Sequence, residues 1–401
     1  MVLWIVGIIG ILLLLCLWWL FVSYQQGYRL HLQHQHWYRY PKRTGTLQLF
    51  NDGYELYERL FHDLKEATAT IEVQFFSACT DRICMEFYEL IKGKAAEGVA
   101  VRLLLDWYGA KKVTAAVVAD LQAHGVLVAF SNRPTWPYVL FTALTRNHRK
   151  ITVIDGVIGY VGGFNLGEEC LGHSPKLGYW RDYHLRITGQ AVNDLRHRFY
   201  RDWQSHHPDK TIFTPVAPAL SAGYAMRLES TNGAHLHDAF ASLIRQAQKE
   251  LVICSPYFIP GKELTDSLKA ALARGVRVSL LLPMKADYQL VQDASFRYLK
   301  ELLPAGLNVY RFYEGFCHGK VIIVDDTICD IGSGNFNKRS FYLNDEMNCF
   351  ITTPSFIRKV KATIEEDLHR SEPFTLQDLK QRPLMGRIFR EPLARMIEKF
   401  L

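Results

Sequence analysis

The sequence predicts an α/β protein that consists of two tandem, similar domains related by a pseudo-twofold and preceded by one transmembrane helix. Three observations predict this fold. Residues 2–22 form an uncharged apolar run, short apolar runs alternate with helix-like segments from about residue 44, and one set of polar residues occurs twice. A chain of 401 residues is long enough for two domains, each with its own core.

The first 22 residues have the length and composition of a transmembrane anchor. A cleaved signal peptide is less favoured because the run lacks a basic start and a small-residue exit. The run ends in aromatic residues at 18, 19 and 21, which suit the membrane interface, and residues 23–43 form a basic, aromatic linker. Positive charge lies only on this side (Arg29, Arg39, Lys42, Arg43), so we expect a single-pass protein of the cell membrane with its body in the cytoplasm.

Residues 44–215 are predicted to form the first domain. Its apolar runs and helical segments alternate as in other α/β domains. The expected helices are 51–65 and 85–97, and the expected strands are 69–76, 99–105 and 126–130.

Residues 216–401 are predicted to form the second domain, which repeats the pattern of the first. Residues 96–105 (AEGVAVRLLL) and 273–282 (ARGVRVSLLL) align on their glycine. Helices are expected at 239–249 and 264–274, with strands at 250–254, 276–282 and 307–312. The boundary is expected near 205–225, where proline and polar residues interrupt the periodicity.

The repeated polar set has the same spacing in both halves. The Lys, Asp and Asn follow the His by two, seven and seventeen residues, and a Gly-Gly or Gly-Ser pair precedes the Asn. The two sets are His148, Lys150, Asp155, Gly162-Gly163, Asn165 and His318, Lys320, Asp325, Gly332-Ser333, Asn335. One such match is weak, but two with the same tail are not plausibly chance.

Each His is expected at the start of a strand, at 150–154 and 320–324, so that His and Lys share one face. A short turn at the Asp and a second strand would return the Asn to the same end. Two halves docked edge to edge would therefore combine both polar sets in one pocket.

This set suits phosphodiester chemistry. A neutral imidazole can attack phosphorus, and a second, protonated imidazole can donate the proton of the leaving group. Two ammonium groups and two amides can stabilise the charge of the transition state. We therefore expect no metal and no other cofactor.

The two sets resemble the paired HKD motifs of the phospholipase D superfamily. This resemblance implies that one His forms a phosphoenzyme intermediate, that the other is the general acid, and that Asp155 and Asp325 have a structural part within the motifs. It also implies that Asp182 and Glu346 orient the histidines and that Asn165, Asn335 and Ser333 support the phosphate.

The finer resemblance is to bacterial cardiolipin synthases, over roughly residues 44–401. The residues that carry it are 162–169 (GGFNLGEE), 180–184 (WRDYH) and 332–340 (GSGNFNKRS). The chain departs from that family in having one apolar helix where many have two, and in Cys170 where a Tyr is usual.

The resemblance predicts a phosphatidyltransferase that makes cardiolipin and glycerol from two phosphatidylglycerols, with His148 as nucleophile. The alternatives are a phospholipase D-type hydrolase, a nuclease, or a lipid-binding scaffold. The formal charge of +7 favours anionic partners, either phospholipid surfaces or nucleic acid, and does not choose between them. The resemblance implies phosphatidylglycerol and an anionic membrane surface. No nucleic acid is expected, and the oligomeric state stays open.

Three further segments have two interpretations each. Residues 134–141 and 255–260 are apolar and contain prolines, so they either line the mouth of the site or pack in the core. The segment from Leu384 to Phe400 is basic and amphipathic, so it lies either on an anionic membrane or on its own domain.

Overall fold

The computed structural model describes residues 2–209, 211–217, 223–384 and 386–401. Met1, the first residue of the predicted anchor, and part of the predicted domain boundary (218–222) lie outside these residues. The chain begins with a long helix, α1 (Val2–Gln33), and two short strands, β1 (Trp37–Arg39) and β2 (Arg43–Gly45).

The first sheet has seven strands with helices packed against it. In chain order the strands are β3 (Leu47–Phe50), β4 (Thr70–Phe75), β5 (Ala100–Asp106), β6 (Leu127–Ser131), then β7 (Arg146–Asn147) outside the sheet, β8 (Ile151–Ile154), β9 (Ile158–Gly162), β10 (Tyr179–Arg181) outside the sheet, and β11 (His184–Thr188). The helices are α2 (Gly53–Lys65), α3 (Arg82–Ala96), α4 (Ala115–Ala123), α5 (Val139–Leu144) and α6 (Ala191–His206), with a 3-10 turn at Glu168–Leu171.

The second sheet has eleven strands, because β1, β2 and β7 join it. Its own strands are β12 (Tyr224–Asn232), β13 (Glu250–Cys254), β14 (Arg277–Pro283), β15 (Asn308–Phe312), β17 (Val321–Val324), β18 (Ile328–Gly332), β19 (Asn344–Ile351) and β20 (Ser371–Phe374), whereas β16 (Gly315–Cys317) pairs with β10. The helices are α7 (Leu236–Gln246), α8 (Gly261–Ala273), α9 (Gln289–Leu302), α10 (Lys338–Tyr342), α11 (Pro354–His369), α12 (Leu376–Gln381) and α13 (Glu391–Ile397), with a π-helical turn at Gly386–Arg390 and a 3-10 turn at Glu398–Phe400.

The two sheets have the same strand order. It is β3-β11-β9-β8-β4-β5-β6 in the first and β12-β19-β18-β17-β13-β14-β15 in the second. Each of these seven strands therefore has an equivalent in the other half, which confirms the predicted fold of two similar α/β units.

Local chemistry explains why these elements begin and end where they do. Asp52 and Asp81 accept hydrogen bonds from the first backbone N–H groups of α2 and α3, and thus cap both helices. Gly98 and Gly275 adopt positive φ (93° and 86°) after α3 and α8, as the sequence predicted for helix ends. Two strands, β5 and β14, then follow at equivalent positions.

Both sheets contribute to one apolar core between them. Their inner faces pack with α6 and α11, for example through Val161, Leu195, Ile331 and Val360, which are fully buried. Separate cores lie on the outer faces, under α2 and α3 in the first half and under α7, α8 and α9 in the second. The two halves are thus held together by burial of apolar surface rather than by a loose linker.

The first helix continues beyond the predicted anchor of residues 1–22 to Gln33, and the rest of the predicted linker (23–43) leads into the second sheet. Within α1, Trp4–Gln33 is long and apolar enough to cross a membrane, and its most apolar stretch is not buried in the protein. At 32 residues α1 is about 48 Å long, which exceeds the roughly 30 Å of a bilayer core. Its last turns pack on α5, where Gly27 meets Phe141 and Ser23 donates a hydrogen bond to the Pro137 carbonyl (2.5 Å).

The two apolar segments that the sequence left open have different surroundings. Residues 255–260 belong to the core of the second half, with Phe258 stacked on Phe336. In the segment 134–141, Trp136 is largely exposed and stacks on Trp19 of α1. Of the two segments, only residues 134–141 therefore lie near the predicted membrane surface.

Candidate active site

The two motif histidines follow short strands that cross from one half of the molecule to the other. β7, just before His148, pairs in parallel with the start of β19, and β16, just before His318, pairs in parallel with β10. The backbone continues this pairing: His148 N–H donates to the Asp345 carbonyl (3.0 Å), and His318 N–H donates to the Arg181 carbonyl (2.6 Å). Each His is therefore fixed by the backbone of the opposite half.

The crossing continues in the side chains. His148 Nδ1 lies 3.0 and 3.1 Å from the Glu346 carboxylate oxygens, and His318 Nδ1 lies 2.5 Å from Asp182 Oδ2. All four side chains are buried. A carboxylate at Nδ1 fixes the tautomer of a neutral imidazole and leaves Nε2 as the nucleophilic or acidic atom. Within the described ranges no hydrogen-bond partner of either Nε2 is found.

Each carboxylate is held in its own way. The Ser333 hydroxyl donates to Glu346 Oε2 (2.5 Å) and the Ser340 hydroxyl donates to Glu346 Oε1 (2.7 Å). Ser333 was predicted to support the phosphate; in the structure its hydroxyl is engaged with the carboxylate instead. On the other side, Gly163 leaves room for Asp182, because a Cβ there would lie 2.0 Å from Asp182 Oδ1.

The two motif lysines are buried beside the histidines. Lys150 Nζ donates to the His148 carbonyl (2.6 Å), and Lys320 Nζ lies 2.7 Å from His318 Nδ1 and 3.5 Å from Asp182 Oδ2. Burial lowers the pKa of Lys150 to about 7 and also lowers the pKa of Lys320. A bound anion would stabilise the ammonium form of both side chains, so the two lysines suit an anionic ligand.

Burial favours the neutral form of both motif histidines. Burial lowers the pKa of His148 to about 4 and that of His318 to about 3, and the lysines of both halves add to each effect. Burial by itself would raise the pKa of Asp182 and Glu346, but the lysine and histidine charges outweigh it, so both carboxyl pKa values are lowered. Two neutral imidazoles thus face two carboxylates.

The motif asparagines have an unused polar atom each. Asn165 Oδ1 and Asn335 Oδ1 are buried, and neither has a hydrogen-bond partner in the part of the chain that the structure describes. A buried amide without a partner is costly, and rotation by 180° exchanges its oxygen for an N–H₂ donor. These amides can therefore serve a ligand with phosphoryl oxygens.

Asp155 and Asp325 do not join the other motif residues. Each lies five residues beyond its Lys, at the far end of a strand and about 16 Å away. The Asp155 carboxylate accepts backbone N–H groups of residues 68–70, and the Asp325 carboxylate accepts those of residues 248–250. Both carboxylates therefore hold the turns that present the strands, and their part within the motifs is structural.

Two buried arginines next to the motifs were missed. Arg149 donates to Asp202 (2.8 Å) and to the Glu346 and Thr231 carbonyls (3.1 and 2.6 Å), and Arg181 pairs with Asp367 (2.6 Å). Both connect the first half to the second. The sequence could have indicated them, because Arg149 lies between His148 and Lys150 and Arg181 precedes Asp182. Successive side chains of an extended chain point to opposite sides, so a neighbour of a site residue points away from the site and into the interface between the halves.

The chain is similar to known proteins over most of its length. The sequence profile of the family described as cardiolipin synthase, PLD-like domain, matches residues 60–203 and 240–368. The chain belongs to this family. The prediction of a cardiolipin synthase of the phospholipase D superfamily is thereby confirmed.

Individual members of the family are similar over most of their length. The chain is 40% identical to the minor cardiolipin synthase ClsB of Bacillus subtilis (strain 168) over 90% of this chain and 91% of that protein. It is 36% identical to the major cardiolipin synthase ClsA of the same organism, over 89% and 75%. The crystal structure of the phosphatidylserine synthase of Haemophilus influenzae Rd KW20 has the same fold, with a TM-score of 0.69 at 16% identity over 90% of this chain and 97% of that one.

Proposed function

We propose that the protein is a membrane-anchored phosphatidyltransferase that makes cardiolipin and glycerol from two phosphatidylglycerols. The crossed pairs His148–Glu346 and His318–Asp182 carry this proposal, because they provide two equivalent imidazoles in one buried site. Its cardiolipin synthase relatives support phospholipid as the substrate class.

In the first step, His148 Nε2 attacks the phosphorus of one phosphatidylglycerol. A P–N bond forms and the P–O bond to glycerol breaks, while His318 Nε2 donates the proton to the departing glycerol oxygen. The phosphate charge raises the pKa of His318, which allows this imidazole to be protonated in the complex. Lys150, Lys320 and the two asparagine amides stabilise the charge of the phosphoryl oxygens.

In the second step, His318 accepts the proton of a glycerol hydroxyl of a second phosphatidylglycerol. That oxygen attacks phosphorus, the P–N bond breaks, and cardiolipin leaves. Aromatic rings border both histidines: Phe76 lies 5.0 Å from His148, and Trp180 lies 4.8 Å from His318. Such a lining disfavours water as the acceptor and so favours transfer over hydrolysis.

The anchor would place this site at the membrane. We propose that α1 crosses the cell membrane once and that the body lies in the cytoplasm, since the positive residues follow the apolar run. Arg39 and Arg43 are engaged with Glu229 and Asp194, so they also fix the body to the segment that leaves the membrane.

The test uses purified protein and phosphatidylglycerol labelled in both glycerols. One free glycerol should appear for each cardiolipin, and the activity should be lost in His318→Ala. Phosphatidic acid without cardiolipin would instead identify a hydrolase. In His318→Ala, an acid-labile phosphatidyl label on His148 is expected, whereas label on His318 in His148→Ala alone would reverse the two roles.

A further inference from the structure

The C-terminal segment presents an apolar surface to the outside of the protein. We define its apolar face by five exposed side chains, of which Met396 is 74% exposed and Phe389 61%: Leu384, Ile388, Phe389, Leu393 and Met396. Large apolar side chains are seldom clustered on a protein surface without a partner. This face therefore requires an occupant.

The segment docks on its own domain through its polar side. Glu391 pairs with Lys300 (2.8 Å), and Glu398 pairs with Arg297 (3.0 Å) and Lys338 (2.6 Å). On this side, the small Ala394 is fully buried against the core of the second half. An amphipathic helix of a soluble protein turns its apolar side inward, so the orientation here is the reverse.

The C-terminal segment ends next to the helix that leaves the membrane. The Phe400 ring is 5.6 Å from the ring of Tyr24 in α1. If the apolar run to Val22 fills a bilayer core, Tyr24 lies in the headgroup layer, where aromatic rings are enriched. The C-terminal segment then lies at the same depth.

Basic side chains flank the apolar face, as expected for a segment that lies on an anionic membrane. Arg387, Arg395 and Lys399 form no ion pair within residues 2–209, 211–217, 223–384 and 386–401, whereas Arg390 of the same segment is paired with Asp293. Unpaired basic residues that flank an apolar face are typical of helices that lie on anionic membranes.

A cavity with lysines and one glutamate, Glu263, in its wall joins the two membrane-proximal elements. It has a volume of about 320 Å³ and lies between α1, the start of α8 and the C-terminal segment, with Lys262, Lys338 and Lys399 among its lining residues. Tyr24 and Tyr28 of α1 form its other wall. Lys338 is paired with Glu398 and Lys262 with Asp266, whereas Lys399 has no ion pair among the described residues. Its ammonium group, at headgroup depth, is suited to a lipid phosphate.

We infer that residues 384–400 are a second membrane contact, which inserts its apolar face into the headgroup layer of an anionic bilayer beside the anchor. This inference rests on the membrane position of α1 that the proposed function includes. It does not depend on catalysis. A bilayer fits better than a second copy of the chain because the segment that carries the face ends against Tyr24, just beyond the apolar run of α1.

Photo-crosslinking of the full-length protein in nanodiscs tests the contact. The crosslinker p-benzoylphenylalanine replaces Phe389, and in separate samples it replaces Leu13 of α1 or Tyr313, an exposed residue outside the segment. The nanodiscs contain phosphatidylcholine with or without phosphatidylserine, neither of which is the proposed substrate. We expect lipid adducts at 389 and 13 but not at 313, with a higher yield at 389 when phosphatidylserine is present.

Other outcomes would overturn the inference in distinguishable ways. Adducts at 13 without adducts at 389 leave the anchor in place but remove the second contact. Adducts of 389 with another copy of the chain identify a dimer interface, and absence of adducts at both positions contradicts the membrane position of α1. Loss of cardiolipin formation alone would affect only the proposed function.

A charge variant separates lipid attraction from general loss of charge. Arg387→Gln combined with Arg395→Gln should lower the adduct yield at 389 by at least about threefold in discs with phosphatidylserine. The matched control is Arg358→Gln with Lys359→Gln, which removes two exposed charges from α11. An equal decrease in both double variants would contradict the proposed contact.

Discussion

Gly163 and Ser333 occupy equivalent positions in the two motifs. The smaller residue, Gly163, faces the carboxylate of Asp182, and the larger one, Ser333, faces that of Glu346. Asp182 approaches the backbone at Gly163 so closely that no side chain fits. Glu346 is one methylene longer and is held instead by the Ser333 hydroxyl. The two halves thus reach the same function, a carboxylate at a histidine Nδ1, with different residues.

We expect Gly163→Ala to displace the Asp182 carboxylate and to lower the rate of cardiolipin formation by about 10²-fold or more. The protein should still fold, at a cost of about 1–3 kcal/mol for the overpacked site. The matched control is Gly93→Ala in α3, where a Cβ meets nothing within 4 Å. It should leave the rate unchanged, and a loss of activity in this control as well would refute the explanation.

The pKa values of the two histidines predict a pH-dependent stability. Because the folded-state pKa of His148 is about 4 and that of His318 about 3, the unfolded chain binds more protons below pH 6.5. Stability should therefore fall as the pH falls from 6.5 towards 4, by about 1.4 kcal/mol per pH unit for each histidine. Denaturant unfolding at several pH values measures this slope, and His148→Asn should lose its share of it.

Short elements rather than long ones assemble the site. β7, β10 and β16 have only two or three residues each, yet they pair across the halves and place His148 and His318. α11 supports one of them, because Asp367 accepts hydrogen bonds from Arg181 Nε (2.7 and 2.9 Å) and from the Tyr183 hydroxyl. The conformation around His318 thus depends on an ion pair in the core.

Asp367→Ala should destabilise the protein by about 3–5 kcal/mol, because it leaves the buried Arg181 guanidinium without its counter-charge. The control is Glu168→Ala, which removes the partner of Arg82 from an exposed pair and should cost less than about 1 kcal/mol. Urea unfolding of both variants measures the difference. Equal effects would show that burial of the pair does not determine its contribution.

Across the whole molecule, each half supplies the carboxylate for the histidine of the other. Neither half can therefore form a complete site by itself, and the apolar core that both sheets share holds the two halves together. Because each carboxylate lies beside the histidine of the opposite half, its removal should change the pKa of that histidine more than the pKa of the other.

Glu346→Gln should lower the pKa of His148 below about 4, because the carboxylate charge raises it in the native protein. His318, in the same half as Glu346, should change less. Asp182→Asn should have the opposite selectivity. NMR titration of ¹³C-labelled histidines measures both, and a larger shift of His318 in Glu346→Gln would contradict the crossed arrangement.

The sequence alone determined the repeat, the α/β class and most strands. Spacing and hydrophobic periodicity are local properties, and the predicted strand at 250–254 agrees with the structure to the residue. The set of His148, Lys150, Asn165 and their equivalents could be identified for the same reason. The role of Asp182 and Glu346 in orienting the histidines was predicted from the family resemblance and not from spacing.

Only the tertiary structure decided which residues meet. A carboxylate 198 positions from its histidine leaves no periodic signal, so the pairing of His148 with Glu346 could not be read from the chain. The separation of Asp155 and Asp325 from the pocket could not be read from the motif either. A motif gives the order of residues along the chain, whereas their distance in space depends on the strand between them. Local sequence fixes each half, whereas the contact between halves depends on the summed burial of surfaces that are distant in sequence.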